Sequence, residues 1–140
     1  MPVDGYYEWK TEGRQKIPYY FRSANGGPLA LGGLWSSQVR PDGTMRRTLC
    51  LVTVAPNREA GEVHGRMPVL LDAARAAAWL TERPFGPADF AALATTAPDR
   101  SLALHRVSPE VNRVACDDPR LIEPVVGAAD QPDFFGDLLG

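Results

Sequence analysis

Turn residues recur along the first half of the chain and cut its apolar sequence into short extended stretches. Residues 5–10 alternate aromatic and polar side chains, as a half-buried strand does, and a turn at 11–14 leads to a second stretch at 17–22. Residues 25–28, Asn-Gly-Gly-Pro, signal a hairpin turn before a third stretch at 29–35. Strands joined by such short connections pair antiparallel, so an antiparallel architecture is predicted.

Three details refine the prediction for these strands. Pro18 lacks an amide hydrogen, which places its strand at the edge of a sheet or at the start of a strand. The pair Gly32 and Gly33 indicates a bend or a close approach of two backbones. Residues 47–55 are almost continuously apolar or β-branched, which predicts a central strand buried on both faces. Cys50, in the middle of that run, is therefore expected to be a buried and unreactive thiol.

The second half of the chain predicts two short helices among a few short strands. Asp72 is a suitable N-cap for an alanine-rich helix at 73–80, and a second helix is expected at 87–94. The remaining predictions are a loop at 56–67, short strands at 68–71 and 102–107, and a last short strand at 121–125. The fold class is thus α+β, with mainly antiparallel strands in an open, barrel-like sheet. One domain is expected over 1–126, with a disordered tail at 127–140.

Composition and charge exclude several classes of protein. No run approaches 18 uncharged apolar residues, so no membrane span is expected. Two cysteines are too few for a disulfide framework, which predicts a reduced, cytoplasmic protein, and a monomer is expected. The formal net charge is −2, divided as +3 over residues 1–70 and −5 over 71–140. A local basic surface remains possible beside the alternative of an ordinary solvated face, and its arginines would be Arg40, Arg46, Arg47, Arg58 and Arg66.

General motif searches leave two candidate residues for chemistry. The histidines and cysteines lack the spacing of zinc ligands, and no phosphate-binding or nucleophile motif is present, so no metal and no cofactor are predicted. Glu8 stands among aromatic residues that could exclude water from its carboxyl group. His64 stands in a loop of Gly, Arg, Met and Pro. The alternatives also stay open: an alternating strand can turn Glu8 to solvent, and a lone histidine is commonly an ordinary loop residue.

The same residues carry a resemblance to a known family. Residues 4–10 (DGYYEWK), 51–55 (LVTVA) and 63–69 (VHGRMPV) resemble, in order, the SOS-response-associated peptidase family of abasic-site processing proteins. Residues 109–112 (PEVN) and 121–125 (LIEPV) fit the closing part of that domain. The resemblance extends over about residues 2–126, so the chain is similar to the C-terminal portion of the family's domain.

The resemblance implies an activity on single-stranded DNA that contains abasic sites. Family members expose an N-terminal cysteine by removing their own initiator methionine, and this cysteine closes a thiazolidine with the sugar aldehyde. The family's active-site glutamate and histidine would be Glu8 and His64, and Thr53 would contact the abasic nucleotide. DNA contacts are further expected from Arg66, Arg46 and Arg47. The strand of Glu8 and the run 47–55 should then share one sheet, with the implied active-site residues facing a common groove.

The sequence departs from the family pattern at the nucleophile. Residue 2 is proline where the family carries its cysteine, and the family's Asn-Ala-Arg segment and double tryptophan are absent. The chain could derive from a truncated gene model, a cleaved product or a degenerate paralogue. Two functional hypotheses follow. One is a peptidase and abasic-site lyase whose nucleophile segment is missing here, and the other is a non-catalytic remnant that binds single-stranded DNA weakly or serves as an interaction module.

Overall fold

The computed structural model describes residues 1–81 and 86–125, so the predicted tail at 127–140 lies outside the described residues. The strands are β1 (Pro2–Val3), β2 (Gly5–Glu12), β3 (Gln15–Ser23), β4 (Leu29–Ala30), β5 (Gly33–Val39), β6 (Met45–Leu51), β7 (Thr53–Val54), β8 (Met67–Pro68) and β9 (Leu102–Arg106). The helices are α1 (Arg58–Gly61), α2 (Ala73–Trp79) and α3 (Pro87–Leu93), followed by 3-10 turns at Pro109–Asn112 and Pro119–Ile122. The predicted α+β class is confirmed. None of the described helices has the length and apolar character that a membrane span requires.

The strands form four small antiparallel groups. The largest has the order β2-β3-β9, and the pairs β1-β4, β5-β6 and β7-β8 complete the set. The described strands do not close into a barrel. The expectation that the strand of Glu8 shares a sheet with residues 47–55 is wrong, because β2 pairs with β3 whereas β6 pairs only with β5 among the described strands.

Pro18 lies in β3, which is the central strand of its sheet, so its predicted edge position is wrong. The carbonyl oxygen of Pro18 accepts a hydrogen bond of 3.1 Å from the amide of Val107. The backbone of Pro18 therefore faces β9, which ends at Arg106. The missing amide hydrogen falls where this ladder has already ended, so the sheet tolerates the proline.

The core lies against the inner face of the three-stranded sheet. It consists of Phe21, Leu29, Leu31, Ala60, Val63, Met67, Leu70, Ala97 and Leu102. Tyr6 stacks on Phe21 with ring centroids 4.9 Å apart and packs against this core. The register pairs Tyr6 with Phe21 and Glu8 with Tyr19, so all four side chains project from the inner face.

The outer face of the same sheet is covered by the segment that follows β9. Trp9 donates a hydrogen bond of 2.9 Å from Nε1 to Oδ1 of Asn112, and His105 donates one of 2.8 Å from Nε2 to the carbonyl oxygen of Ile122. The predicted strand at 121–125 is wrong. The side chain of Asp118 caps a 3-10 turn at Pro119–Ile122 instead, since Asp and Pro favour the start of a helical turn over a strand.

The stretch predicted as one strand at 29–35 is divided in two. β4 pairs with β1 and not with β3, so the hairpin predicted at residues 25–28 does not form. The paired glycines mark a close approach, as expected: a Cβ atom on Gly32 would lie 3.2 Å from Val69, and one on Gly33 would lie 3.2 Å from the carbonyl oxygen of Cys50. The indole of Trp79 on α2 donates a hydrogen bond of 3.0 Å to the carbonyl of Gly33 and packs on Phe90 of α3.

β5 and β6 form a hairpin that stands apart from the core. The predicted central buried strand at 47–55 is wrong: every residue of β6 is exposed, and the run breaks at Val52 into β6 and β7. Cys50 is accordingly an exposed free thiol and not a buried one. The apolar pattern of the run was read correctly, but burial requires a covering element, and no described strand or helix covers this one.

The two predicted helices are confirmed as α2 and α3, and the side chain of Asp72 caps α2 by accepting a hydrogen bond of 2.8 Å from the amide of Arg75. One helix was missed. α1 occupies part of the predicted loop at 56–67, where Asn57 accepts a hydrogen bond of 3.0 Å from the amide of Ala60. Four residues are too few to show helical periodicity, so only the Asn N-cap could have signalled α1.

Candidate functional site

His64 follows the end of α1 after Glu62 and Val63, and the fixed position of α1 determines where the histidine lies. The buried Asn57 caps α1 and donates a hydrogen bond of 3.1 Å from its amide nitrogen to the carbonyl of Pro98. The backbone amide of His64 then donates to the carbonyl of Ala60 at 2.9 Å. Val63 and Met67 on either side are buried in the core, so the exposed residues between them form a loop anchored at both ends.

Three of the predicted site residues meet in this loop. Arg66 donates a hydrogen bond of 2.7 Å from Nε to the hydroxyl oxygen of Thr53, and its Nη2 donates to the Thr53 carbonyl. Thr53 lies on β7, which pairs with β8 immediately after Arg66. The backbone amide of Arg66 lies 3.2 Å from Nδ1 of His64. Thr53, His64 and Arg66 therefore form one exposed, hydrogen-bonded cluster, which we call the Thr53 cluster.

The ring of His64 contacts the backbone of Arg66 twice through one nitrogen. Nδ1 lies 3.2 Å from the amide of Arg66, which can only donate, and 3.2 Å from the carbonyl oxygen of Arg66, which can only accept. The two contacts suit opposite tautomers of the neutral ring, so they position the ring without fixing which nitrogen carries the proton. His64 is exposed, so Nε2 is open to a bound molecule. An imidazole can donate a proton and later take it back.

Glu8 lies on the inner face of β2, half-buried, two residues from Tyr6. Burial raises the pKa of the Tyr6 phenol, and the negative charge of Glu8 raises it further. The carboxylate of Glu8 therefore lies close enough to the Tyr6 hydroxyl to act on it electrostatically. The hydroxyl oxygen of Tyr6 is itself buried and has no hydrogen-bond partner among the described residues. The sequence pattern did not identify Tyr6 as part of this face.

The structure places Glu8 on the side of the sheet that packs toward the His64 loop but does not join the two residues. Tyr6 packs against the core that contains Val63 and Met67, the two anchors of the loop. Among the described residues, no hydrogen bond or ion pair links Glu8 to His64 or to Thr53. The expected common groove for all three thus remains a prediction, whereas the Thr53 cluster itself is observed.

The other two predicted DNA contacts lie elsewhere. Arg46 and Arg47 are consecutive residues of β6, so their side chains project from opposite faces of the exposed hairpin. The part of the chain that the structure describes contains no group of three or more His, Cys, Asp or Glu residues able to hold a metal ion. A cavity of about 630 Å³ lies on the outer face, lined by Tyr7, Trp9 and Cys116 among others, and includes neither Glu8 nor His64.

Comparison with solved structures defines the class of fold. A crystal structure of a protein from Bacteroides thetaiotaomicron superimposes with a TM-score of 0.82 at 22% identity, covering 90% of this chain and 56% of that protein. At this identity the likeness establishes the fold. The chain also matches the family model described as "SOS response associated peptidase (SRAP)" over residues 1–114. The chain belongs to the SRAP family.

Curated relatives carry a consistent description. The abasic site processing protein YoqW of Bacillus subtilis (strain 168) is 29% identical over 124 residues, which cover 88% of this chain and 55% of the relative. The figures are the same for the abasic site processing protein YedK of Escherichia coli (strain K12). The abasic site processing protein HMCES of Gallus gallus is 29% identical over 149 residues, covering 88% of this chain and 42% of the relative. The chain thus spans about half the length of the curated relatives that it matches.

Proposed function

We propose that this chain acts on abasic sites in single-stranded DNA, as the glutamate- and histidine-bearing part of an SRAP domain. The observation that carries the proposal is the Thr53 cluster, because it joins a cation, a hydroxyl group and an imidazole on an exposed loop. These are the groups needed to hold a phosphate, position a sugar and move a proton. Membership of the SRAP family and the names of the curated relatives support the same substrate class.

Each residue of the cluster takes a defined role in this proposal. Two of the five N–H groups of Arg66 bind Thr53, so three remain to bind a phosphate oxygen. The hydroxyl of Thr53, held by Arg66, contacts the abasic sugar. His64 serves as general acid and base when the sugar ring opens or the strand is cleaved. Glu8 exchanges protons with the reacting amine from the neighbouring sheet face.

Arg46 and Arg47 are proposed to add positive charge for DNA, although they lie outside the Thr53 cluster. Because they project from opposite faces of the hairpin, only one of them can face a DNA strand that lies on either surface. A monomeric, cytoplasmic protein without a cofactor is part of the same proposal.

The covalent step requires a group that the printed sequence does not provide. An N-terminal cysteine amine condenses with the sugar aldehyde and releases water, and the thiol of the same residue then adds to the imine carbon while the nitrogen takes up a proton. Residue 2 is proline here, and it lies on β1 paired with Ala30. Cys50 and Cys116 are internal residues without a free amine. The chain as printed should therefore bind abasic DNA without forming a thiazolidine.

A denaturing gel of a labelled, abasic single-stranded oligonucleotide tests this function. The chain alone should give no heat-stable crosslink, whereas a version extended by an upstream segment that begins Met-Cys should give one. In the extended protein, Glu8→Gln should slow both methionine removal, followed by mass spectrometry, and crosslink formation. Glu12→Gln, an exposed position on the same strand, is the matched control. A strong crosslink from the unextended chain would overturn the assignment of the nucleophile.

The non-covalent alternative is favoured by one observation, which is that Cys50 and Cys116 are both internal residues without a free α-amino group. A protein of this kind would bind single-stranded DNA with or without an abasic site at similar affinity. Fluorescence anisotropy with both oligonucleotides distinguishes the two functions, because processing of abasic sites predicts tighter binding to the abasic strand. Equal affinities, together with no crosslink from the extended version, would leave only the binding module.

A further inference from the structure

The three-stranded sheet carries a guanidinium group on the same face as Glu8, and the site described so far does not use it. The register pairs Glu8 of β2 with Tyr19 of β3, and Tyr19 with Arg106 of β9. Residues directly opposite each other in antiparallel strands project from the same face, so all three side chains lie on the inner face. We call these three residues the Glu8 row. The row contains a carboxylate, a phenol and a guanidinium, and each of its residues is half-buried.

The backbone of Arg106 is held firmly in place. It is the last residue of β9 and pairs with β3 on one side. Its carbonyl oxygen accepts a hydrogen bond of 3.1 Å from the amide of Val125. The next residue, Val107, is fully buried. The side chain of Arg106 therefore starts from a rigid point of the fold, as a residue that positions a ligand requires.

The guanidinium of Arg106 has all of its hydrogen-bond donors available. Within residues 1–81 and 86–125 it forms no hydrogen bond and no ion pair, whereas the guanidinium of Arg66 binds Thr53. A guanidinium has five N–H donors and no acceptor, and burying part of its charge is costly unless an anion or a set of acceptors binds it. Arg106 is therefore suited to bind an anion that comes from outside the described part of the chain.

The spacing of the Glu8 row matches one sugar-phosphate unit of a DNA strand. Neighbouring strands lie about 4.8 Å apart, so the backbones of Glu8 and Arg106 are about 10 Å apart, with Tyr19 between them. Tyr19 packs against the core and so forms the floor of the row. The planar fork of a guanidinium binds two oxygens of one phosphate, while a carboxylate exchanges protons at the neighbouring sugar.

We infer that Arg106 binds a phosphate that flanks the abasic sugar, and so is a positioning residue for the sugar on which Glu8 acts. The inference rests on the proposed function and adds to it a second phosphate contact. This contact is separate from that of Arg66, because Arg66 immediately precedes β8 whereas Arg106 ends β9, in a different sheet. The phosphate held by Arg106 is therefore a different one from the phosphate held by Arg66.

Fluorescence anisotropy of this chain with a labelled, abasic single-stranded oligonucleotide gives the first test. Arg106→Met keeps the length of the apolar stem and removes the charge, so it should weaken binding about tenfold at low salt and lower the salt slope by about 0.7. Arg106→Lys should keep most of the slope. The matched control is Arg22→Met, because Arg22 is exposed on the outer face of the same sheet, and it should change affinity less than about twofold.

Oligonucleotides that carry a single uncharged methylphosphonate linkage locate the contact. The wild-type chain should lose affinity when one linkage flanking the abasic sugar is replaced, and Arg106→Met should lose no further affinity for that oligonucleotide. Arg66→Ala should remain sensitive to the same replacement, because Arg66 binds a different phosphate. For a linkage several nucleotides away, the effects of the replacement and of Arg106→Met should add.

Three results would overturn the inference. They are equal affinities of Arg106→Met and Arg22→Met, continued sensitivity of Arg106→Met to both flanking replacements, and a loss of affinity that disappears when Glu8→Gln is also present, which would assign the guanidinium to Glu8. Thermal unfolding verifies the fold of each variant, and Arg106→Gln replaces Arg106→Met if the latter unfolds. A wild-type chain that binds no DNA would reject the proposed function as well, whereas normal wild-type binding with unaffected variants rejects only the role of Arg106.

Discussion

Removal of the Arg66 side chain is the perturbation that tests the Thr53 cluster most directly. In Arg66→Ala the three N–H groups left free for a phosphate are lost together with the bonds to Thr53. The backbone amide and carbonyl of Arg66, which contact Nδ1 of His64, remain, so the position of that ring is retained. The variant therefore separates phosphate binding from proton transfer.

The expected size of the effect follows from counterion release. Each phosphate neutralised on a single strand contributes about 0.7 to the slope of log affinity against log salt concentration. Loss of one phosphate contact should lower this slope by about 0.7, and loss of a charge-assisted hydrogen bond, worth about 1.5–3 kcal/mol, should weaken binding about tenfold or more at low salt. Arg66→Lys retains the charge, so it should keep most of the slope while losing the paired bonds to Thr53.

Fluorescence anisotropy with a labelled abasic oligonucleotide at four or more salt concentrations measures the slope. Arg14→Ala removes an equal charge from the exposed turn between β2 and β3 and serves as the control. Thermal unfolding of each variant verifies that the fold is retained. If Arg66→Ala leaves the slope unchanged, or if Arg14→Ala lowers it equally, Arg66 does not bind a phosphate and the role given to the cluster is incorrect.

Three further substitutions test the packing around the candidate site and its cover. Gly5→Ala should destabilise the fold by about 2 kcal/mol or more in urea unfolding, because a Cβ there would clash with the carbonyl oxygen of Phe21 on the neighbouring strand. An unchanged midpoint would mean that the two strands can separate easily. Tyr6→Phe should raise stability by up to about 1 kcal/mol, since it retains the ring and removes a buried hydroxyl that has no partner within residues 1–81 and 86–125. A loss of stability would show that the hydroxyl is bonded. Asp118→Asn should reduce the loss of stability in acid: hydrogen bonds from Arg120 lower the pKa of Asp118 to about 2 from 3.8, so its stabilisation is present above pH 4 and disappears as the pH falls toward 2. Thermal unfolding between pH 5 and 2 measures this difference, and identical pH profiles would contradict it.

Local signals in the sequence were sufficient where the deciding contact is also local. The turn at 11–14 and the capping of α2 by Asp72 depend on residues near in sequence, and each is present in the structure. The paired glycines signalled the close approach at Gly32, but not its partner Val69, which is distant in sequence. The meeting of Thr53 with Arg66 depends on one short strand pair. Thr53 and Arg66 were identified as candidate site residues through the resemblance to the family. No spacing rule predicted that the guanidinium of Arg66 would bind Thr53.

The errors arose where burial or register depends on distant elements. An apolar run such as 47–55 predicts a strand, but whether the strand is buried is decided by what packs on it, and the pattern alone does not contain that information. Pro18 was placed at an edge because the end of β9 could not be known from residues 17–22. The distance between Glu8 and His64 depends in the same way on how separate sheets pack across the core.

The three tryptophans of the chain occupy three different surroundings, which gives each region its own optical reporter. Trp9 lies under the C-terminal cover, bonded to Asn112; Trp35 is in solvent on the hairpin; and Trp79 lies between Gly33 and Phe90. Emission from a buried indole is blue-shifted relative to that from an exposed one, so variants that keep one tryptophan and replace the other two by phenylalanine would separate the signals. A single fluorescence titration would then distinguish a molecule that binds to the hairpin, near Trp35, from one that displaces the segment after β9 from Trp9.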